Sequence, residues 1–124
     1  MLGKLDDMAL EEVARYFAAL SVPARLRILN ALRMSAHNVT ELTELTRCTQ
    51  ANVSKHLSVL SANGLVARHP QGTSVYYRIA DPKVFELCDL VCGQVGRRLG
   101  ERSAWQRVFF DLGATPRRGR APRR

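Results

Sequence analysis

Residues 49–64 read TQANVSKHLSVLSANG. Thr49 is a hydroxyl residue of the kind that caps a helix start, and Asn63-Gly64 is a pair that ends one, because a left-handed residue is tolerated there. The spacing between them predicts about four turns of helix. Val53, Leu57 and Leu60 recur at helical spacing and make one stripe for burial. The remaining surface carries Gln50, Asn52, Ser54, Lys55 and Ser58, which are amide, hydroxyl and ammonium groups without a carboxylate. Amides near a helix start can pair with adenine edges, and hydroxyls and Lys can meet bases or phosphates. No acidic residue stands between Arg47 and Tyr77, so nothing nearby repels a phosphate backbone. The stretch predicts a recognition helix for the major groove of double-stranded DNA. Its candidate contacts are Thr49, Gln50, Asn52, Ser54, Lys55, His56 and Ser58.

Upstream, three more helices are expected. The first runs from Leu5 to Leu20, with Leu10, Val13, Phe17 and Leu20 on one face and early acids that suit the helix dipole. The second runs from Pro23 to about Met34. Pro23 fits its first position, Leu26, Leu29 and Leu32 face inward, and Arg25, Arg27 and Arg33 stay in water. Ser35 to Asn38 reads as a polar break. Asn38 and Glu41 then form a capping pattern for a short helix, Val39 to about Thr46, that buries Leu42 and Leu45. Two short helices joined by a tight turn, the second polar on its outer face, make a helix-turn-helix.

Downstream, the period changes from helical to alternating. Leu65–His69 and Ser74–Ile79 are predicted strands, with Pro70–Thr73 as the turn between them. A β-hairpin directly after a recognition helix is a wing, and Arg68, His69, Gln71, Thr73 and Ser74 near its tip could reach DNA. Asp81-Pro82 then caps and starts a last helix, expected to reach at least Arg102 and as far as Phe110. Val84, Cys88, Val91, Cys92, Val95 and Leu99 fall within about 100° on its helical wheel. A small domain already closed by three helices and a hairpin has little need of another long apolar face. That face, with Val84, Val91, Val95 and Leu99, is expected to form a homodimer interface shared with the first helix. The fold class is thus mainly α with a small β-hairpin, in the order α-α-α-α-β-β-α: a winged helix-turn-helix.

Composition sets the limits around this reading. The 124 residues are expected to form one domain over 1–112 and a disordered basic tail over 113–124. A hydrophobic content of 46% is enough for a core. The net charge is +8, but five arginines lie in the last ten residues, which leaves +3 on the rest. A basic balance favours an anionic partner, nucleic acid before membrane. Asp6, Asp7, Glu11 and Glu12 interrupt any amino-terminal signal, and no apolar run approaches the ~20 residues that span a bilayer. A cytoplasmic protein with no membrane partner is expected. Three cysteines do not suggest a secreted disulfide scaffold. No Ser-His-Asp spacing, phosphate loop or carboxylate pair appears, and a thiol nucleophile lacks a base, so an enzyme is not expected.

The runs LSVPARLRILNAL, VTEL, NVSKHLSVLSANGLV and QGTSVYYRIA, in that order and spacing, resemble the ArsR/SmtB winged-helix repressors over about residues 10–95. The resemblance implies a homodimer that binds an inverted-repeat operator, represses, and lets go when an effector binds. The chain departs from the family pattern in three places. Val22 stands where many relatives have an Asp or Asn cap before the Pro. Thr43 and Leu45 stand where arsenite and soft-metal sensors carry a Cys-x-Cys pair. No histidine follows His69, so the zinc or cobalt site of the last helix cannot be assembled there.

Cys88 and Cys92, four apart, lie along one helix face. Across a two-fold axis four thiols could meet and bind a soft metal ion, with arsenite needing three of them, or oxidise to an intersubunit disulfide or polysulfide. Alternatively both are small buried apolar residues in a helix seam, and the protein is an effector-independent repressor. No cofactor is certain. Cys48 lies just before the recognition helix, near its positive end, and reads as an inert thiol that is not brought to the last helix. A largely non-specific nucleic-acid binder driven by the Arg tail is the remaining alternative.

Overall fold

The computed structural model describes residues 6–100. The chain divides into two compact units, Met1–Asp81 and Pro82–Arg124. The first holds helices α1 (Asp7–Leu20), α2 (Pro23–Ala31), α3 (Val39–Thr46) and α4 (Gln50–Ala62), with strands β1 (His37–Asn38), β2 (Val66–Gln71) and β3 (Ser74–Ile79). The second holds α5 (Lys83–Leu99). The expected order of helices and hairpin is present, and the short strand β1 is added to it.

Helix starts follow the capping chemistry of the sequence. The Asp6 carboxylate accepts from the Ala9 N–H at 2.8 Å and starts α1; Leu5, the expected start, lies outside the described residues. Val22 occupies the N-cap of α2 without a side-chain hydrogen bond, and Pro23 follows. Asn38 and Glu41 form a complete capping box on α3. The Asn38 Oδ1 accepts from the Glu41 N–H at 2.8 Å, and Glu41 Oε1 accepts from the Asn38 N–H at 3.1 Å. At the last helix Pro82 itself holds the N-cap position, so Asp81 is not the cap as expected. The described helix ends at Leu99, with Gly100 at φ 56° as its C-cap. Its expected extension to Arg102 or Phe110 lies outside the described residues, as do residues 113–124.

The core of the first unit is Ile28 and Leu29 from α2, Leu32 at its C-cap, Leu42 from α3, and Val53, Leu57 and Leu60 from α4, closed by Leu65 and Val66. Two expected core residues are not in it. Leu26 is 43% exposed, and Ile28 takes its place. The two lie about 200° apart on the helical wheel, so they cannot both face one core. Leu45 is 57% exposed, and Thr46 is buried in its stead. The buried face of α3 thus follows the Leu42–Thr46 spacing of four. The Thr46 hydroxyl donates to the Leu42 carbonyl at 2.6 Å, which removes the cost of burying it. α2 ends at Ala31, short of Met34, and passes into a turn through Leu32.

The sheet has the order β1-β3-β2, all antiparallel. The polar break expected at Ser35–Asn38 contains β1, with His37 opposite Tyr77 and Asn38 opposite Tyr76. Asn38 is extended, as a helix N-cap must be, and this lets its backbone pair with β3. The hairpin turn is also tighter than expected. Pro70 pairs with Val75 and Gln71 with Ser74, so only Gly72-Thr73 form the loop. Gly72 at φ 62° is the reason, because a two-residue hairpin needs a positive φ at that position. Pro70 is tolerated because β2 is an edge strand.

Candidate nucleic-acid interface

The loop between α3 and α4 is three residues, Arg47, Cys48 and Thr49. Arg47 adopts a left-handed backbone at φ 62°, and its N–H donates to the Thr43 carbonyl at 2.8 Å. This closes α3 and turns the chain into α4. The Thr49 hydroxyl then accepts from the Asn52 N–H at 3.1 Å and starts the recognition helix where expected. The Cys48 thiol points back along the turn and donates to the Thr46 carbonyl at 3.7 Å.

α4 ends in a Schellman motif. The Leu65 N–H reaches the Leu60 carbonyl at 2.9 Å and the Gly64 N–H reaches Ser61 at 3.0 Å, with Gly64 at φ 73°. Leu60 and Leu65 are both buried, so the motif also packs the end of α4 onto the core and aims the chain into the wing.

With Val53, Leu57 and Leu60 buried, the other face of α4 is set. Thr49, Gln50, Asn52, Ser54, Lys55 and Ser58 are all exposed. His56 is half-buried at the edge of the stripe. Its Nδ1 accepts from the Arg25 Nε–H at 3.2 Å. Burial first, and then the charges of Arg25 and Lys55, hold its pKa below the ordinary histidine value. Arg25 was expected in water. Instead its guanidinium spans three helices, because it also donates to the Ala19 carbonyl at 3.2 Å and, more weakly, to Ala18 at 3.5 Å. The partners lie 31 positions apart in sequence, and no local spacing rule reveals such a pair.

On the wing, Arg68, His69, Gln71 and Thr73 are exposed and Ser74 is half-buried. Arg68 faces Tyr77 across the ladder, with its Nε 3.5 Å from the phenol oxygen. The base of the wing is tied to the helix-turn-helix through β1. His37, within the expected polar break, has Nδ1 3.1 Å from Glu41 Oε1 and Nε2 3.3 Å from Ser35 Oγ.

Cys88 and Cys92 are half-buried on α5, as are Val95 and Leu99; Val84 is buried and Val91 is half exposed. Among the described residues no three His, Cys, Asp or Glu side chains are grouped so as to hold a metal ion. No described helix is long and apolar enough to cross a membrane.

Comparison with known proteins agrees with this geometry. The model of the bacterial regulatory protein, arsR family, matches residues 22–68, from the cap of α2 to the first half of the wing. The transcriptional repressor PagR of Bacillus anthracis is 35% identical over 89 residues, which covers 71% of this chain and 89% of that protein. The HTH-type transcriptional regulator NmtR of Mycobacterium tuberculosis is 40% identical over 85 residues, covering 68% and 71%. A solution structure of the homodimeric winged helix-turn-helix DNA-binding domain of a possible ArsR-family regulator from Mycobacterium bovis superposes with a TM-score of 0.68 at 35% identity. It covers 80% of this chain and 94% of that one. These relatives are transcriptional regulators and not enzymes. With its buried α4 stripe, polar outer face and wing, this chain is a winged helix-turn-helix transcriptional regulator and belongs to the ArsR family.

Proposed function

We propose that the protein is a homodimeric repressor that binds an inverted-repeat operator, with α4 of each protomer in a major groove. The observation that carries this is the outer face of α4. Burial of Val53, Leu57 and Leu60 leaves Gln50, Asn52, Ser54, Lys55 and Ser58 exposed together, in a stretch without a carboxylate. A charge-driven binder has no use for that set of amides and hydroxyls, whereas base readout needs them. Arg68, His69, Gln71 and Thr73 on the wing reach the flanking backbone.

Homodimerisation through α1 and α5 accounts for two apolar faces. Leu10, Val13 and Phe17 of α1 are each at least 41% exposed, and so is Val91 on the apolar face of α5. The homodimeric assembly of the Mycobacterium bovis relative supports the same reading. Two-fold symmetry then spaces the recognition helices for half-sites about one helical turn of DNA apart. Release comes from a thiol-directed signal at Cys88 and Cys92, which lie one helical turn apart on α5, beside Val91.

The test is selection of duplexes by the full chain from a random-sequence pool. Enrichment of an inverted repeat is expected, with binding lost in Gln50→Ala and Asn52→Ala. Enrichment of no sequence, with a steep salt dependence set by residues 113–124, would mean charge-driven binding instead. On the selected duplex, a thiol oxidant, a sulfane-sulfur donor, Zn(II), Cd(II) and arsenite are then added to reduced, metal-free protein. One of them should weaken binding about tenfold, an effect absent in Cys88→Ser and Cys92→Ser. No response to any of them makes the two cysteines packing residues.

A further inference from the structure

We infer that Arg25 is a positioning residue for DNA recognition, which holds His56 in the tautomer carrying its proton on Nε2 so that α4 offers this N–H to an acceptor oxygen of the duplex. The inference rests on the reading of α4 as the recognition helix.

The chemistry of the pair decides the tautomer. A guanidinium has only donors, so a hydrogen bond from Arg25 Nε requires a lone pair on His56 Nδ1. In a neutral imidazole the proton then sits on Nε2. The imidazole is neutral near pH 7 because burial and the neighbouring Arg25 and Lys55 charges disfavour its cation. Arg25 cannot easily swing away, since the same guanidinium is braced by the Ala19 carbonyl at 3.2 Å in the last turn of α1. Unpaired carbonyls at a helix end are what such a donor satisfies.

The other ring nitrogen is left for DNA. Among the described residues, Nε2 has no hydrogen-bond partner, although His56 is half-buried. His56 lies four residues after Asn52, so the two share one row of the helix surface, and Asn52 is exposed. The Nε2 donor therefore continues the row of groups that face the groove. Lys55 beside it supplies charge, while His56 supplies a directed, uncharged donor. Had Nδ1 carried the proton, Nε2 would present a lone pair to the oxygen-rich edge of DNA and repel it.

The experiment uses the full chain and a duplex selected by it. Imidazole tautomers are read by two-bond ¹⁵N–¹H correlation in the DNA-free protein, and affinity is read by fluorescence anisotropy. Wild type should show the Nε2–H form, and Arg25→Met should populate the Nδ1–H form and weaken binding about tenfold. His56→Ala removes the ring donor itself and should weaken binding about tenfold, as Arg25→Met does. In that background Arg25→Met should cost nothing further, since there is no tautomer left to set. An Nδ1–H wild-type protein, or an equal loss from Arg25→Met in both backgrounds, overturns the role of Arg25. Failure of wild type to select any duplex overturns the reading of α4 and this inference with it.

Discussion

Arg25 on α2 and His56 on α4 are joined by a 3.2 Å hydrogen bond in which the guanidinium Nε–H donates to the imidazole Nδ1. The bond exists only while the imidazole is neutral, so folding and protonation are linked. His56 has its pKa lowered, chiefly by burial and then by Arg25 and Lys55. As pH falls below the ordinary histidine value of about 6.5, the unfolded chain takes up this proton before the folded one does. The contribution is therefore complete above that value and is lost as pH falls through the folded pKa. Urea midpoints should drop between pH 7.5 and 5.5, and the drop should be smaller in His56→Gln. Identical pH slopes for the two proteins would exclude the linkage.

The capping box of α3 has its own acid window. Glu41 has its pKa lowered by the Asn38 N–H and then by the His37 hydrogen bond. A depressed carboxylate stabilises above its ordinary value and loses that contribution as pH falls through the folded pKa. This second decline should appear only at acid pH, well below the His56 window, and vanish in Glu41→Gln. Asn38→Ala removes the reciprocal half of the box and should cost about 1 kcal/mol at neutral pH, measured by denaturant unfolding.

Two left-handed residues frame the recognition helix. Gly64 at φ 73° has open space around a would-be Cβ, so Gly64→Ala should cost only its conformational term, about 1 kcal/mol. Arg47 at φ 62° has already accepted this strain, and a β-branched side chain would worsen it. Arg47→Val is expected to destabilise by about 1–2 kcal/mol, whereas Arg47→Asn should leave the melting temperature nearly unchanged.

Leu42 and Leu45 sit three residues apart on α3 but differ in surroundings. Leu42 is fully buried and Leu45 is mostly exposed. Leu42→Ala should destabilise by about 2–5 kcal/mol, and Leu45→Ala by no more than about 0.5 kcal/mol. Comparable losses from the two substitutions would show that Leu45, not Thr46, belongs to the core.

Residues 49–64 by themselves determined the recognition helix, its cap at Thr49, its stop at Gly64 and the polar face between them. Each of these follows from propensities and periodicity acting within a few residues. The capping box at Asn38 and Glu41, the wing strands and the apolar faces of α1 and α5 were legible for the same reason. Tertiary structure alone decided the rest. Whether Leu26 or Ile28, and Leu45 or Thr46, enters the core depends on how each helix is rotated against its neighbours, which no single helix encodes. The two-residue strand β1 is too short to show a period, and only pairing with β3 makes it a strand. Arg25 looked like a solvated charge because its partners, His56 and the end of α1, become neighbours only when three helices pack, and long side chains report nothing of distant acceptors in local sequence.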